Sequence, residues 1–358
     1  VKIRVLLRTA LLFSGVFATS FSSAEGQEAG SVLFVRGADR SGGFLEAGND
    51  NSRTEQLADI SNQSQSGGNH GWFEFATLLE SNGYLIEQAK EPLESGAPST
   101  GQTTGAALSL DGSFSVIDRF GSSPGSTRQL SDYDAVVFGS NNAVYGSSQI
   151  DAVESYIRGG GGALFISDAN FGSSWSDASN SDQQFLDRFG LIVNQDRGTT
   201  VHSSAEVPGT PNDYSQNDHP ILNGVDAFDG EGVTPFQIGT LTNGVTAEIL
   251  VKAEGNTSDN TGTSTRGASR PVTDNDAALL IALADAGRIA GHFDRNTFFN
   301  ANGAGSSLFE TQDRRQGVVL DNDEYALNLV GWVVNIPEPT SFALLCSGGL
   351  LLLRRRCG

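Results

Sequence analysis

The stretch that most constrains the fold is residues 134–167. A short apolar run, DAVVFGS (134–140), is followed by SSQIDAVESYIR (147–158), in which Ile150, Val153 and Ile157 recur at helical spacing. Four glycines (159–162) and a second apolar run, ALFIS (163–167), come next. Both runs are too apolar to have a wet face, and a single amphipathic helix joins them. This predicts two parallel strands connected by a right-handed crossover. Parallel strands need cover on both faces, so the rest of the chain must supply two layers of helix. Ser148 with Asp151 reads as a capping box for the crossover helix.

The neighbouring segments extend this unit. SVLFVRG (31–37) reads as a buried strand and GWFEFATLLESN (71–82) as a helix with Trp72, Phe75, Leu78 and Leu79 on one side, stopped by Gly83. Residues 84–89 read as the next strand. Residues 182–189 form a short helix and residues 247–253 a strand. Residues 277–284 and 287–293 form a hairpin about the turn Asp285-Ala286. Residues 323–334 close the domain as a helix with Tyr325, Leu329, Trp332 and Val333 on its apolar side. The segments 92–130 and 193–244 have little apolar pattern; the first reads as an excursion at the sheet edge and the second as irregular. The long polar stretch 38–69 reads as disordered or as a lid. The expected fold class is α/β, a largely parallel flavodoxin-like sheet with helices on both faces, long polar loops and a C-terminal short hydrophobic helix.

Charge limits the partners. The chain of 358 residues carries a formal net charge of −20, with three lysines. Nucleic acid is excluded as a partner, because binding it needs Lys and Arg to neutralise phosphates. Six of the 22 basic residues lie in the two ends, against one of the 42 acidic residues, so the middle is more acidic than the whole. Such a surface favours cations or neutral, hydroxyl-rich ligands over polyanions. Both cysteines, Cys346 and Cys357, lie in the C-terminal tail. The middle therefore has no disulfide framework and no thiolate nucleophile or metal site.

Residues 1–24 have the layout of a secretory signal peptide. Lys2, Arg4 and Arg8 precede a short apolar stretch, and Ser22 and Ala24 supply small residues for a cut after Ala24. Residues 25–335 then form one α/β domain.

Several segments of that domain resemble the class I glutamine amidotransferase-like superfamily, including its ThuA-like (trehalose-utilisation) branch. They are NHGWFEFATLLESNGYLIE (69–87), YDAVVFGSNN (133–142) with IDAVESYIRGGGGALFISD (150–168), DHPILNGV (218–225), and GRIAGHFDRNTFFN (287–300) with YALNLVGWV (325–333). The resemblance implies the flavodoxin-like fold. Enzymes of that superfamily place a cysteine at a sharp turn after the strand matching 163–167. Here the turn reads Asp168-Ala169-Asn170, without G-x-C-x-G or G-x-S-x-G, and Ser167 lies inside the strand. Amidotransferase chemistry is not carried over, and the reading leans towards a non-enzyme.

Ligands of open α/β sheets bind outside the carboxyl ends of the strands. The ligand-binding candidates there are Asp39, Arg40, Asn141, Asn142, Asp168, Asn170, Arg295 and Asn296, with His70 at the start of the first helix. Asp168, His219 and Asp294 are the candidate acid–base groups, His219 on a loop placed to cover the crevice. Each has a bland alternative. Asp168 and Asn170 fit turn caps, His70 a helix cap, Asp294-Arg295 a local ion pair, and His219 a backbone-bonded loop histidine. His202 and His292 have no sequence-adjacent partner. No cofactor is expected. The oxygen-rich clusters Asp274-Asn275-Asp276 and Asp321-Asn322-Asp323-Glu324 would suit calcium, and the second equally suits a helix start.

The C-terminal residues 336–358 resemble the PEP-CTERM sorting signal. Its parts are Pro337-Glu338-Pro339, an apolar run over 341–353, and Arg354, Arg355 and Arg356. That run has 13 residues, where a permanent span needs about 20. The length suits a segment that holds the chain in a membrane only until it is removed. The resemblance implies an exosortase-type transpeptidase as partner, a location in the cell envelope or outside it, and association with extracellular polysaccharide. The leading expectation is thus an exported, non-catalytic ligand-binding protein. The alternative is a carbohydrate-modifying hydrolase using Asp and His at the strand ends.

Overall fold

The computed structural model describes residues 29–36, 59–63, 71–90, 110–117, 124–139, 145–167, 180–193, 201–205, 218–231, 234–253, 274–300 and 320–334. The chain opens with β1 (Gly30–Arg36), α1 (Phe73–Ser81) and β2 (Tyr84–Lys90). Two short strands follow, β3 (Phe114–Ile117) and β4 (Pro124–Arg128). The crossover unit is β5 (Ala135–Phe138), α2 (Ser147–Arg158) and β6 (Gly162–Ile166). Next come α3 (Asn180–Leu186), β7 (Leu191–Ile192), β8 (Val201–Ala205), β9 (Ala227–Glu231) and β10 (Gln237–Ile238). The last elements are β11 (Val245–Lys252), β12 (Ala277–Ala284), β13 (Gly287–His292) and α4 (Asn322–Val333).

Nine strands make one sheet in the order β11-β12-β13-β6-β5-β1-β2-β3-β4. The five from β13 to β2 are mutually parallel. Their order has the flavodoxin-like sense, with the switch in direction between β1 and β5. Antiparallel strands extend both sides, β12 and β11 on one and β3 and β4 on the other.

Every residue of β5 and β6 is buried. That is why these runs show no polar alternation: helices cover both faces. Successive side chains of β1 point opposite ways. Val32 and Phe34 join the layer under α1 and α4, with Leu79, Tyr325 and Leu329. Leu33 and Val35 join the layer under α2 and α3, with Val153, Ile157 and Phe185. Two glycines fix how closely the layers approach. A Cβ on Gly162 would collide with the carbonyl of Val333, and one on Gly287 with the carbonyl of Ile157. The glycine run therefore lets β6 start directly beneath the last turn of α4.

Three local expectations are corrected. The crossover helix is capped two residues earlier than expected. Gln149 Oε1 accepts from the Gly146 N–H at 2.9 Å, whereas Asp151 pairs with Arg188. Ser147 is already helical, so the cap falls on Gly146. In α4 the buried face uses Val330 rather than Trp332. Trp332 lies at the margin, under the Arg288 guanidinium at 5.1 Å. The weakly patterned segments also hold strands. β3 and β4 lie in 92–130, and the β8–β9 and β7–β10 pairs lie around 193–244. Strands this short have too few residues for a period to be read.

Among the described residues, no helix is long and apolar enough to cross a membrane. The leader, residues 1–24, and the tail, residues 336–358, lie outside the described residues.

Candidate functional site

The described carboxyl edge of the sheet comprises Ser167 after β6, residues 292–300 after β13, and residues 59–62 above the end of β2. Of the residues singled out from sequence, Asp294, Arg295, Asn296 and His219 are described here. Asp39, Arg40, His70, Asn141, Asn142, Asp168 and Asn170 lie outside the described residues, as do Pro337, Glu338, Pro339, Arg354, Arg355 and Arg356.

Asp294 and Arg295 leave β13 at this edge, and both are completely buried. A guanidinium is always charged, so burying one demands polar company. Neither residue is without a partner. Asn296 opens the 3-10 turn Asn296–Phe298. That turn brings two further polar residues inward that sequence reading passed over, Thr297 and Asn300.

Asn300 has a definite task. Its Oδ1 accepts from the Glu74 N–H at 2.9 Å, and its Nδ2 donates to the Asn62 carbonyl at 2.8 Å. Helix α1 has no side-chain cap of its own at Trp72. Asn300 therefore caps α1 from 226 positions away and ties the loop after β1 to the loop after β13. The same loop is held from below by Gln88, whose Nε2 donates to Asp59 Oδ1 at 3.1 Å. Its Oε1 accepts from the Ile60 N–H at 3.3 Å. Part of the segment expected as a disordered stretch or lid, residues 59–63, is thus pinned to the sheet.

His292, at the end of β13, is completely buried. Nδ1 lies 2.9 Å from the Tyr325 hydroxyl and Nε2 lies 2.9 Å from Thr297 Oγ1. Burial pushes its pKa down to about 3. It is a neutral imidazole with both nitrogens engaged, a structural link between β13, α4 and the 3-10 turn. Ser167 is also completely buried, and its Oγ has no hydrogen-bond partner among the described residues. Its N–H donates to the His292 carbonyl.

His219 is placed elsewhere. It caps the 3-10 turn Pro220–Leu222, with Nδ1 accepting from the Ile221 N–H at 3.2 Å. Its ring lies 5.9 Å from that of Trp332, near the C-terminal end of α4. From there the chain runs antiparallel to the helix: the Asn223 carbonyl accepts from Asn328, and Asp226 and Ala227 donate to Asp321. Tyr325, which marks the carboxyl edge through His292, is seven positions before Trp332. At 1.5 Å per residue this is about 10 Å along the axis. His219 thus sits towards the amino edge and does not cover the crevice beside Asp294. Desolvation pushes its pKa down.

The oxygen-rich clusters diverge. Asp274 pairs with Lys252 at 3.4 Å, while Asp276 accepts from Gln237 at 2.8 Å. Asp321 Oδ2 accepts two backbone N–H groups, at 2.8 and 3.2 Å. Among the described residues, no three His, Cys, Asp or Glu side chains gather as a metal site would require.

At the described edge, buried hydroxyl, amide, guanidinium and carboxylate groups thus surround a neutral imidazole, and Asn300 and His292 are engaged within the fold. No protein-family model matches the chain, and no curated protein matches it. Among solved structures, the chain is similar to a cytoplasmic protein of Salmonella typhimurium, with 13% identity and TM-score 0.43, covering 84% of this chain and 98% of the other. It is also similar to a ThuA-like protein of Parabacteroides merdae, with 11% identity and TM-score 0.40, covering 85% and 90%. A ThuA-like protein of Bacteroides uniformis follows, with 12% identity and TM-score 0.38, covering 86% and 92%.

Proposed function

We propose that this is an exported envelope protein whose flavodoxin-like body binds a neutral, hydroxyl-rich ligand at the carboxyl edge, and does not turn it over. Extracellular polysaccharide is the ligand class that fits the acidic body and the sorting tail. The observation that carries the reading is the separation of His219 from Asp294. General acid–base partners must reach one substrate, and these two lie towards opposite ends of α4. The imidazole that does lie at the edge, His292, is neutral near pH 7 with both nitrogens engaged.

The test is a pair of measurements on the exported chain. Calorimetric titration with neutral oligosaccharides should give binding, and the same preparation should leave glycosidic and amide substrates intact. Turnover that disappears in Asp294→Asn, with circular dichroism unchanged, would replace this reading with the hydrolase alternative. The proposed sorting step is tested by mass spectrometry of the mature protein. A C-terminus still carrying Arg354–Arg356 would refute removal of the tail.

A further inference from the structure

The two ends of the folded body adjoin one another. Gly30, which opens β1, lies so close to Val334, just past α4, that a Cβ on Gly30 would overlap the Val334 side chain. Ala29 is fixed beside it, donating its N–H to the Gly83 carbonyl at 2.9 Å. Both points lie on the amino edge of the sheet. The turns leading into β2, β5 and β13 lie on the same edge, because those strands run parallel to β1. They expose Asn82, Ser131, Asp132, Asp134 and Asp285. The same edge carries Arg158, paired with Asp285, and the exposed Leu85 and Leu283.

We infer that the sorting tail holds the body by this one edge, so that in the membrane-held precursor the amino edge faces the bilayer and the carboxyl edge faces away from it. The inference rests on the reading of residues 336–358 as a membrane-holding tail. From Val334 to the apolar run at Ser341 there are six residues, which reach at most about 20 Å when extended. A tether this short keeps the attached edge near the headgroups. The parallel strands place the other edge about 20 Å further out. A ligand at the carboxyl edge is then met on the side open to the surroundings while the tail is still in place.

The experiment uses the exported chain with its tail intact, with Cys346→Ala and Cys357→Ser removing the native thiols. A single dye is attached at Ser131→Cys on the amino edge, or at Ser148→Cys at the start of α2 on the carboxyl edge. Each protein is reconstituted in phosphatidylcholine vesicles containing a headgroup-nitroxide lipid and floated on a density gradient. The expected result is flotation with both dyes, loss of fluorescence for Ser131→Cys and no loss for Ser148→Cys. Flotation with equal loss, or with greater loss at Ser148→Cys, overturns the orientation while leaving the tail's role intact. Failure to float overturns the tail reading and the orientation with it.

Discussion

The imidazole of His292 and the hydroxyl of Tyr325 meet at 2.9 Å across 33 positions of sequence, joining the end of β13 to the first turn of α4. Phe228 stacks on Tyr325 at 4.1 Å, and Phe298 lies 4.9 Å from the imidazole. This polar contact is enclosed by rings, which is why the histidine is held neutral. Desolvation penalises the imidazolium, and the hydrogen bond with the Asp294 backbone offsets only part of that cost.

Acid should therefore weaken the fold through His292. Unfolded, the imidazole takes its proton near pH 6.5; folded, it resists until about 3. Between these values the unfolded state binds more protons, so stability falls as pH falls through that window. The contribution at pH 5 is about 2 kcal/mol. Urea unfolding at pH 7 and pH 5 measures it. His292→Asn should be less stable at pH 7 and show a smaller loss on acidification; an unchanged pH dependence would count against this account.

Asn300→Ala should loosen the start of α1. The variant strips the cap from Glu74 and leaves the Asn62 carbonyl without its donor. The expected cost is about 1–2 kcal/mol. Hydrogen exchange should localise it to residues 72–76 and 60–62, with α2 unaffected.

Arg158 joins three parts of the amino edge. It pairs with Glu154 and Asp285, each at 2.9 Å, donates to the Asn243 carbonyl at 3.1 Å, and lies over the Phe189 ring at 5.4 Å. Because the site is partly exposed, each ion pair is screened and contributes little alone. Arg158→Ala should cost about 1–2 kcal/mol, chiefly from the lost carbonyl bonds and packing. Arg158→Lys should recover only part, since an ammonium lacks the planar fork. Thermal unfolding of the three proteins decides it.

His219→Ala offers the converse test. The side chain caps one short turn, so its loss should lower stability by about 1 kcal/mol. Ligand binding at the carboxyl edge should be unchanged. A loss of binding with the fold intact would show that His219 reaches the site.

Gly162→Ala should prevent accumulation of soluble protein, because the added methyl meets the Val333 backbone carbonyl and forces β6 and the last turn of α4 apart. Soluble yield at low temperature is the measurement, with Gly146→Ala, whose Cβ meets nothing closer than 3.7 Å, as the tolerated comparison.

Local sequence determined the elements whose burial is regular. The all-apolar β5 and β6, the i, i+3, i+7 stripe of α2 and the Asp285-Ala286 hairpin are legible because a strand or helix writes its buried face into its own period. The acidic charge and the two distinctive ends are likewise properties of the sequence alone. Tertiary structure decided what has no period. Asn300 caps a helix 226 positions away, His292 finds Tyr325 and Thr297, and His219 sits along α4 instead of over the crevice. Each depends on which loop the packed sheet brings beside which helix. A polar residue's own neighbours in sequence do not encode that choice, because the partner is selected by the folding of the whole layer.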